Sequence, residues 1–246
     1  MSPERGSRAS MWSILAVLCG ELLAACGTSS EPSDAERGRE LFESKALSSS
    51  SLNDFTCQTC HDARATVPAS KKPGAALAGV TARALFWGGQ ENELLRAVND
   101  CRNYFMADSR PLAATDADAR SLYAYLESLG PGDGTSRAFT VVTDIDALPR
   151  GNAGPGFFLF AEACSSCHGV MHAGTGRLSA RVPILPEETL LAHTDYTPRV
   201  QRLIFTEKIR HGLFLGYSGV MPPFSAELVS NQDVSDLLEA LGVWGE

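Results

Sequence analysis

The sequence predicts a helical fold built from two tandem halves, and three observations predict it. The pentad Cys57-Gln58-Thr59-Cys60-His61 recurs as Cys164-Ser165-Ser166-Cys167-His168, and a recurring motif marks a repeated unit. Upstream of each, Gly and Phe fall four residues apart, as Gly38 and Phe42 and as Gly156 and Phe160. Each half closes on an apolar stripe at helical spacing, Leu122, Tyr125, Leu126 and Leu129 in the first and Val234, Leu237, Leu238 and Leu241 in the second. Capping residues open both stripes, Thr115-Asp116 and Asn231 to Asp233, and Gly130 and Gly242 end them. The chain has 246 residues, 44% hydrophobic and 20% charged, which fits one or two globular domains and excludes collagen, coiled coil and wholesale disorder.

Taken in order, residues 1–25 read as a targeting segment. Arg5 and Arg8 precede an apolar stretch from Met11 to Ala25, too short for a span of about 20 residues and interrupted by Glu21. It ends in Leu23-Ala24-Ala25-Cys26, which resembles a bacterial lipoprotein signal. That resemblance implies lipidation of Cys26 and stable anchoring by several acyl chains. Gly27 after the Cys implies sorting to the outer membrane, facing the periplasm or the cell surface. Residues 26–33 are polar and Ser-rich and predict a flexible tether. The first domain is expected over 34–130. Eleven extra residues before its pentad, including Ser48-Ser49-Ser50-Ser51, read as a surface insertion. Pro131-Gly132-Asp133-Gly134 and the β-branched run that follows predict a linker over 131–149, packed on one or both domains. The second domain is expected over 150–246.

Two thiols three residues apart sit one helical turn apart. They can add to the two vinyl groups of a haem, with the adjacent His facing the iron. This is covalent c-type attachment, and the two pentads predict two haem c groups. A structural zinc or a disulfide is the plainer reading. Zinc, however, takes four ligands from separated pairs, and an adjacent His fits that spacing poorly. A thioredoxin-type motif lacks its strand context, and export to an oxidising compartment agrees with haem attachment.

With these motifs the chain resembles the class I cytochrome c family twice over. The resemblance implies that each half is a small all-α domain wrapped around a covalent haem, held by Cys57 and Cys60 and by Cys164 and Cys167. It also implies His61 and His168 as proximal ligands. Gly219-Val220-Met221-Pro222-Pro223-Phe224 is similar to the family's Met-ligand loop and implies Met221 as the sixth ligand of the second iron. A soft thioether there raises the potential.

The first half leaves two candidates open. Met106 lies 9 residues before Thr115, close to the 10 between Met221 and Asn231. Cys101 stands where the second half is expected to have Gly212, and its thiolate is the alternative ligand. Thiosulfate dehydrogenases and related sulfur-oxidising dihaem cytochromes place a Cys after a similar stretch. Here Tyr104 replaces the Arg typical three residues later. A buried, unreactive Cys is the plainer reading. In the family a Pro carbonyl orients the proximal His. Pro183 is that candidate in the second half, and Pro68 and Pro73 compete in the first. His172, His193 and His211 read as surface or loop residues, and Trp87 and Trp244 as haem-packing or filling residues.

The net charge of −8, from 21 Lys and Arg against 29 Asp and Glu, argues against nucleic acid as a partner. It permits redox partner proteins with a basic docking face. The expected function is single-electron transfer without bound substrate. The alternatives are oxidation of a sulfur compound such as thiosulfate at a Cys101-ligated first haem, and a dihaem peroxidase. The latter needs an open iron, and candidate Met ligands in both halves weigh against it.

Overall fold

The computed structural model describes residues 32–63, 71–141, 147–214 and 219–243. The expected signal segment, Cys26, Pro68 and Trp244 lie outside the described residues. The helices run α1 (Asp34–Glu43), α2 (Cys57–Cys60), α3 (Leu94–Tyr104), α4 (Ala117–Ser128), α5 (Ala153–Leu159), α6 (Ser165–His168), α7 (Glu187–Leu191), α8 (Pro198–His211) and α9 (Asn231–Ala240). Among the described residues the fold is all-α. The one β feature is an isolated antiparallel bridge between Phe86 and Glu91.

Each half is built on one helix crossing, and both crossings use the same device. α1 starts at Ser33, whose hydroxyl and the Glu36 carboxylate cap each other's backbone N–H. It packs on α4 at Gly38, where a Cβ would lie 1.9 Å from the Ser121 carbonyl oxygen. One turn on, the Phe42 and Tyr125 rings meet at 5.4 Å. In the second half Gly156 of α5 approaches Asp236 of α9 so closely that a Cβ would again lie 1.9 Å from a carbonyl oxygen. The spacing that reads as a repeat in the sequence is thus a steric requirement of two close crossings. The second half departs from the first after α5, where the helix widens into a π turn over Phe160–Cys164 that leads directly into α6.

The caps differ in detail from the sequence expectation. Asp116 makes no cap bond to α4, because its carboxylate accepts the Ala113 N–H instead. The cap of α9 is Ser230, in a reciprocal box with Asp233. Gly130 and Gly242 end their helices at φ +94° and +67°.

Two hydrophobic cores result, one around Phe42, Leu122 and Leu126 and one around Phe160, Val234 and Leu238. They lie within one compact unit, Ser33–Glu246. The expected surface insertion proves to be part of the first core. Leu47 and Phe55 are buried in it, and Asn53 ties the segment by bonding both the N–H and the carbonyl of Phe55. The Ser-rich tip around Ser51 and Leu52 is exposed, as are Lys45 and Ala46 ahead of it. A polar run between two anchors had hidden the anchors. The connector packs on both halves. Gly132 lies against Ala78 and Gly79 of the first half, and the Thr140 carbonyl accepts the Ala226 N–H of the second at 3.1 Å.

The two largest fully buried side chains are arginines. Arg102 of α3 donates to the carbonyls of Leu47 (2.9 Å) and Arg110 (2.7 Å), to Asn99 (3.2 Å) and to the Asp108 carboxylate (2.8 Å). Arg210 of α8 donates to the carbonyls of Phe224 and Val229 and to Asn231. Each guanidinium thus satisfies buried and part-buried loop carbonyls. These matching roles set the register between the halves. Cys101, just before Arg102, corresponds to Ile209, just before Arg210, and not to Gly212.

Candidate functional site

The first pentad forms α2, capped by a reciprocal pair of Thr56 and Thr59. The His61 N–H donates to the Cys57 carbonyl at 2.9 Å, and the ring then turns toward the loop at 71–77. There Nδ1–H donates to the Ala75 carbonyl at 2.8 Å. Because a carbonyl can only accept, this bond puts the proton on Nδ1 and the lone pair on Nε2. The acceptor is neither Pro68 nor Pro73. Pro73 lies two residues before it, and what the loop needs at the ring is a residue without a side chain. A Cβ on Gly74 would lie 2.4 Å from His61 Cε1 and 2.5 Å from Nδ1. Burial lowers the pKa of His61 against the raising effect of the Ala75 bond, so the ring is neutral, as a metal ligand must be.

His61 opens onto a cavity of about 400 Å³, lined mostly by apolar side chains. Cys57 and Cys60 lie on its wall, and burial pushes both thiols up to about 12. Cys101 from α3 and Met106 just beyond α3 also line it. Met106 is 4% exposed, and its carbonyl is pinned by the Ser48 hydroxyl at 2.7 Å. Burial raises the Cys101 pKa above the ordinary thiol value, with Cys57 and Cys60 adding to it. Arg83 reaches the same wall. Its Nη2 donates to the carbonyls of Ala76 and Ala78, and its buried Nε–H has no partner among the described residues. Trp87 fills the wall as well, stacked on Phe105 at 6.2 Å and edge-on to Phe139 and Phe214.

A flat apolar macrocycle with acidic side chains fits these residues. The cavity is apolar, the imidazole is neutral and oriented, two thiols stand beside it, and a buried guanidinium N–H waits for an acceptor. Among the described residues no disulfide joins the cysteines, and no three His, Cys, Asp or Glu converge as a metal-ligand cluster, so a four-ligand zinc site finds no ligand set.

The second pentad repeats the proximal arrangement. His168 ends α6, and its Nδ1–H donates to the Pro183 carbonyl at 2.9 Å. Burial again lowers the ring's pKa. Cys164 is buried, its thiol pushed up to about 12 by burial first and by Cys167 second. Met221 is half-buried against the second core. Its segment is fastened to the end of α8: the Leu213 N–H donates to the Met221 carbonyl at 3.1 Å, and the Phe224 N–H to that of Ile209 at 2.8 Å. Gly212 makes this fit possible, at φ +56° with the Met221 carbonyl against its α-carbon. The same segment has a second task, because Pro222, Pro223, Ser225, Glu227 and Leu228 line the cavity of the first site.

The remaining histidines separate. His172 is exposed, past the end of α6 and at φ +64°, with Nδ1 2.7 Å from Glu187. His193 stacks on Tyr196 at 5.7 Å. His211 is not a surface residue. It is 2% exposed in α8, with Nδ1 2.7 Å from the Glu207 carboxylate one turn earlier. The sequence reading also passed over the buried Arg102 and Arg210. Their signal was there, an Arg in the last turn of each amphipathic helix that precedes a candidate Met.

Residues 151–239 match the family described as cytochrome C oxidase, cbb3-type, subunit III. No curated protein matches the chain. The matched residues hold the second pentad, Pro183 and Met221, and the match supports a c-type cytochrome, an electron-transfer protein that carries haem c iron.

Proposed function

We propose that this chain is a membrane-anchored dihaem cytochrome c that passes single electrons between redox partner proteins on the periplasmic side of a bacterial envelope. Cys57 and Cys60 hold the first haem by thioether bonds, and Cys164 and Cys167 the second. His61 and His168 are the proximal ligands, Met106 and Met221 the distal ones, and Cys26 carries the lipid. A bound haem supplies one-electron iron chemistry. The chain's own residues then orient and enclose it. Ala75 and Pro183 fix the two imidazoles, as hydrogen-bonded partners of metal ligands do elsewhere. The apolar cavity wall keeps water from the first iron, and Arg83 offers a buried donor to an acidic side chain of the macrocycle.

The observation that carries this reading is the repeated frame. Each half hangs its His on a backbone carbonyl and places a Met beyond a helix anchored by a buried Arg. The register of those arginines favours Met106 over Cys101, which occupies the core position of Ile209. Two Met-ligated irons leave no open site for a substrate. Cys101 nevertheless lines the same cavity, and this supports the second reading, oxidation of a sulfur compound at a Cys-ligated first haem.

The test is the far-red absorption of the oxidised protein, quantified per haem. Ferric iron with a Met ligand has a weak charge-transfer band there that thiolate-ligated iron lacks. Two equivalents per chain, unchanged in Cys101→Ala, are expected. One equivalent, or a first-haem spectrum that changes in Cys101→Ala, would overturn the carrier reading and call for a thiosulfate turnover assay. Lipid labelling that is lost in Cys26→Ser tests the anchor.

A further inference from the structure

The two halves meet at their attachment turns. Cys167, Leu178, Leu213 and Phe214 of the second half pack against the first core, alongside Cys60. Cys167 is also near enough to raise the Cys60 thiol's pKa, second to burial. Asp54 sits at this junction. Its Oδ2 accepts from Arg181 Nη2 at 2.7 Å and from the Ser179 hydroxyl at 2.8 Å, and its Oδ1 lies 3.7 Å from Lys45 Nζ. Its side chain is 15% exposed. Burial works to raise its pKa, but the bonds from Arg181 and Ser179 outweigh that and hold the carboxyl below its ordinary value.

What makes this contact more than a surface ion pair is what each partner is attached to. Asp54 stands three residues before Cys57, between the buried Asn53 and Phe55, whose mutual hydrogen bonds stiffen the approach to the α2 cap. Ser179 follows Leu178, whose N–H donates to the Cys167 carbonyl at 2.9 Å. Arg181 stands two residues before Pro183, whose carbonyl orients His168. One carboxylate therefore grips a short loop that is bound at one end to Cys167 and at the other to His168.

We propose that Asp54 is a positioning residue for electron exchange between the two haem sites, locking the Cys57–Cys60 turn against the loop that holds Cys167 and His168. This rests on the dihaem reading above. The exchange moves one electron: one iron is oxidised, the other reduced, and no atom or proton is transferred. Because transfer rates fall steeply with distance, a clamp at the contact edge sets the rate without touching either iron.

The experiment uses the full holoprotein with Asp54→Ala, Arg181→Ala and the double variant. Arg181 is half-exposed, so its variant folds even where loss of Asp54 does not. Haem content, the redistribution of an electron between the sites after pulsed reduction, and spin coupling between the two ferric irons are measured. Both single variants should slow redistribution and lose spin coupling while keeping two haems and unchanged far-red bands. The double variant should be no worse than Asp54→Ala alone, because losing Asp54 already removes the Arg181 contact. Two haems with redistribution and coupling as in the parent would overturn the clamp alone. One haem per parent chain would overturn the dihaem reading and the clamp with it.

Discussion

Gly212→Ala tests whether the end of α8 holds Met221 in place. Gly212 has φ +56° and ψ −124°, a region that side chains avoid. Forcing Ala into it stores about 1–3 kcal/mol of backbone strain. The added Cβ would lie 2.3 Å from the Met221 carbonyl oxygen and 2.8 Å from Pro223 N, both backbone atoms that no side-chain rotation can move away. The Met221 segment must therefore shift, which breaks the Leu213 N–H bond to the Met221 carbonyl, worth about 0.5–1.5 kcal/mol net. The sum is about 1.5–4.5 kcal/mol, and under the proposed ligation it comes with loss of the Met221 thioether from the second iron. Gly130→Ala is the control, since Gly130 has a positive φ but nothing within 4 Å of its Cβ position. Urea unfolding and far-red absorption read the two effects. Gly212→Ala should lose one of two band equivalents and be the less stable variant, whereas Gly130→Ala should keep both bands. A Gly212→Ala protein with both bands and the stability of Gly130→Ala would refute the reasoning.

Other consequences follow from the same geometry. Gly74→Ala should displace the His61 ring, so mass spectrometry should show chains loaded at the second pentad but poorly at the first, while Gly176→Ala, with nothing near its Cβ, should load both. Arg102→Met strands the buried Asp108 carboxylate, whose side chain is 4% exposed. Removing one partner of such a pair costs about 3–5 kcal/mol, and urea unfolding should show a loss of that size, larger than for Arg37→Met at the exposed Arg37–Asp118 pair. Asp108 also sets an acid limit. The Ser49 N–H first, against burial, holds its carboxyl below the ordinary 3.8. Its contribution is therefore full above about pH 4 and is lost as pH falls through the lower folded-state value. Unfolding midpoints taken down this range should fall more steeply in the parent than in an Asp108→Asn variant.

Much of the candidate site was legible in the sequence because its chemistry is covalent and local. A Cys-x-x-Cys-His run places two thiols and an imidazole on one turn whatever surrounds it, and Gly38 and Gly156 were legible as a repeat, though their role in two close crossings appears only in the structure. Local pattern failed where burial depends on distant chain. Leu47 and Phe55 flank a Ser-rich run that reads as surface, yet a core that reaches from Leu41 and Phe42 to Leu126 and Leu129 receives them. His211 lies on a helix whose inner face is defined only by what packs on it. The acceptor for His61 is Ala75 because the loop brings Gly74 against the ring, and no residue type advertises a backbone carbonyl. The sequence by itself determined the repeat, the helical class and the atoms available to bind haem, since these follow from residue type and spacing. Only the tertiary structure decided that the two halves share one unit, that Pro222 to Leu228 wall the first cavity, and that Asp54 reaches Ser179 and Arg181. The Asp54 contacts join residues more than 120 apart in the chain, and no local pattern encodes which distant surfaces bury each other.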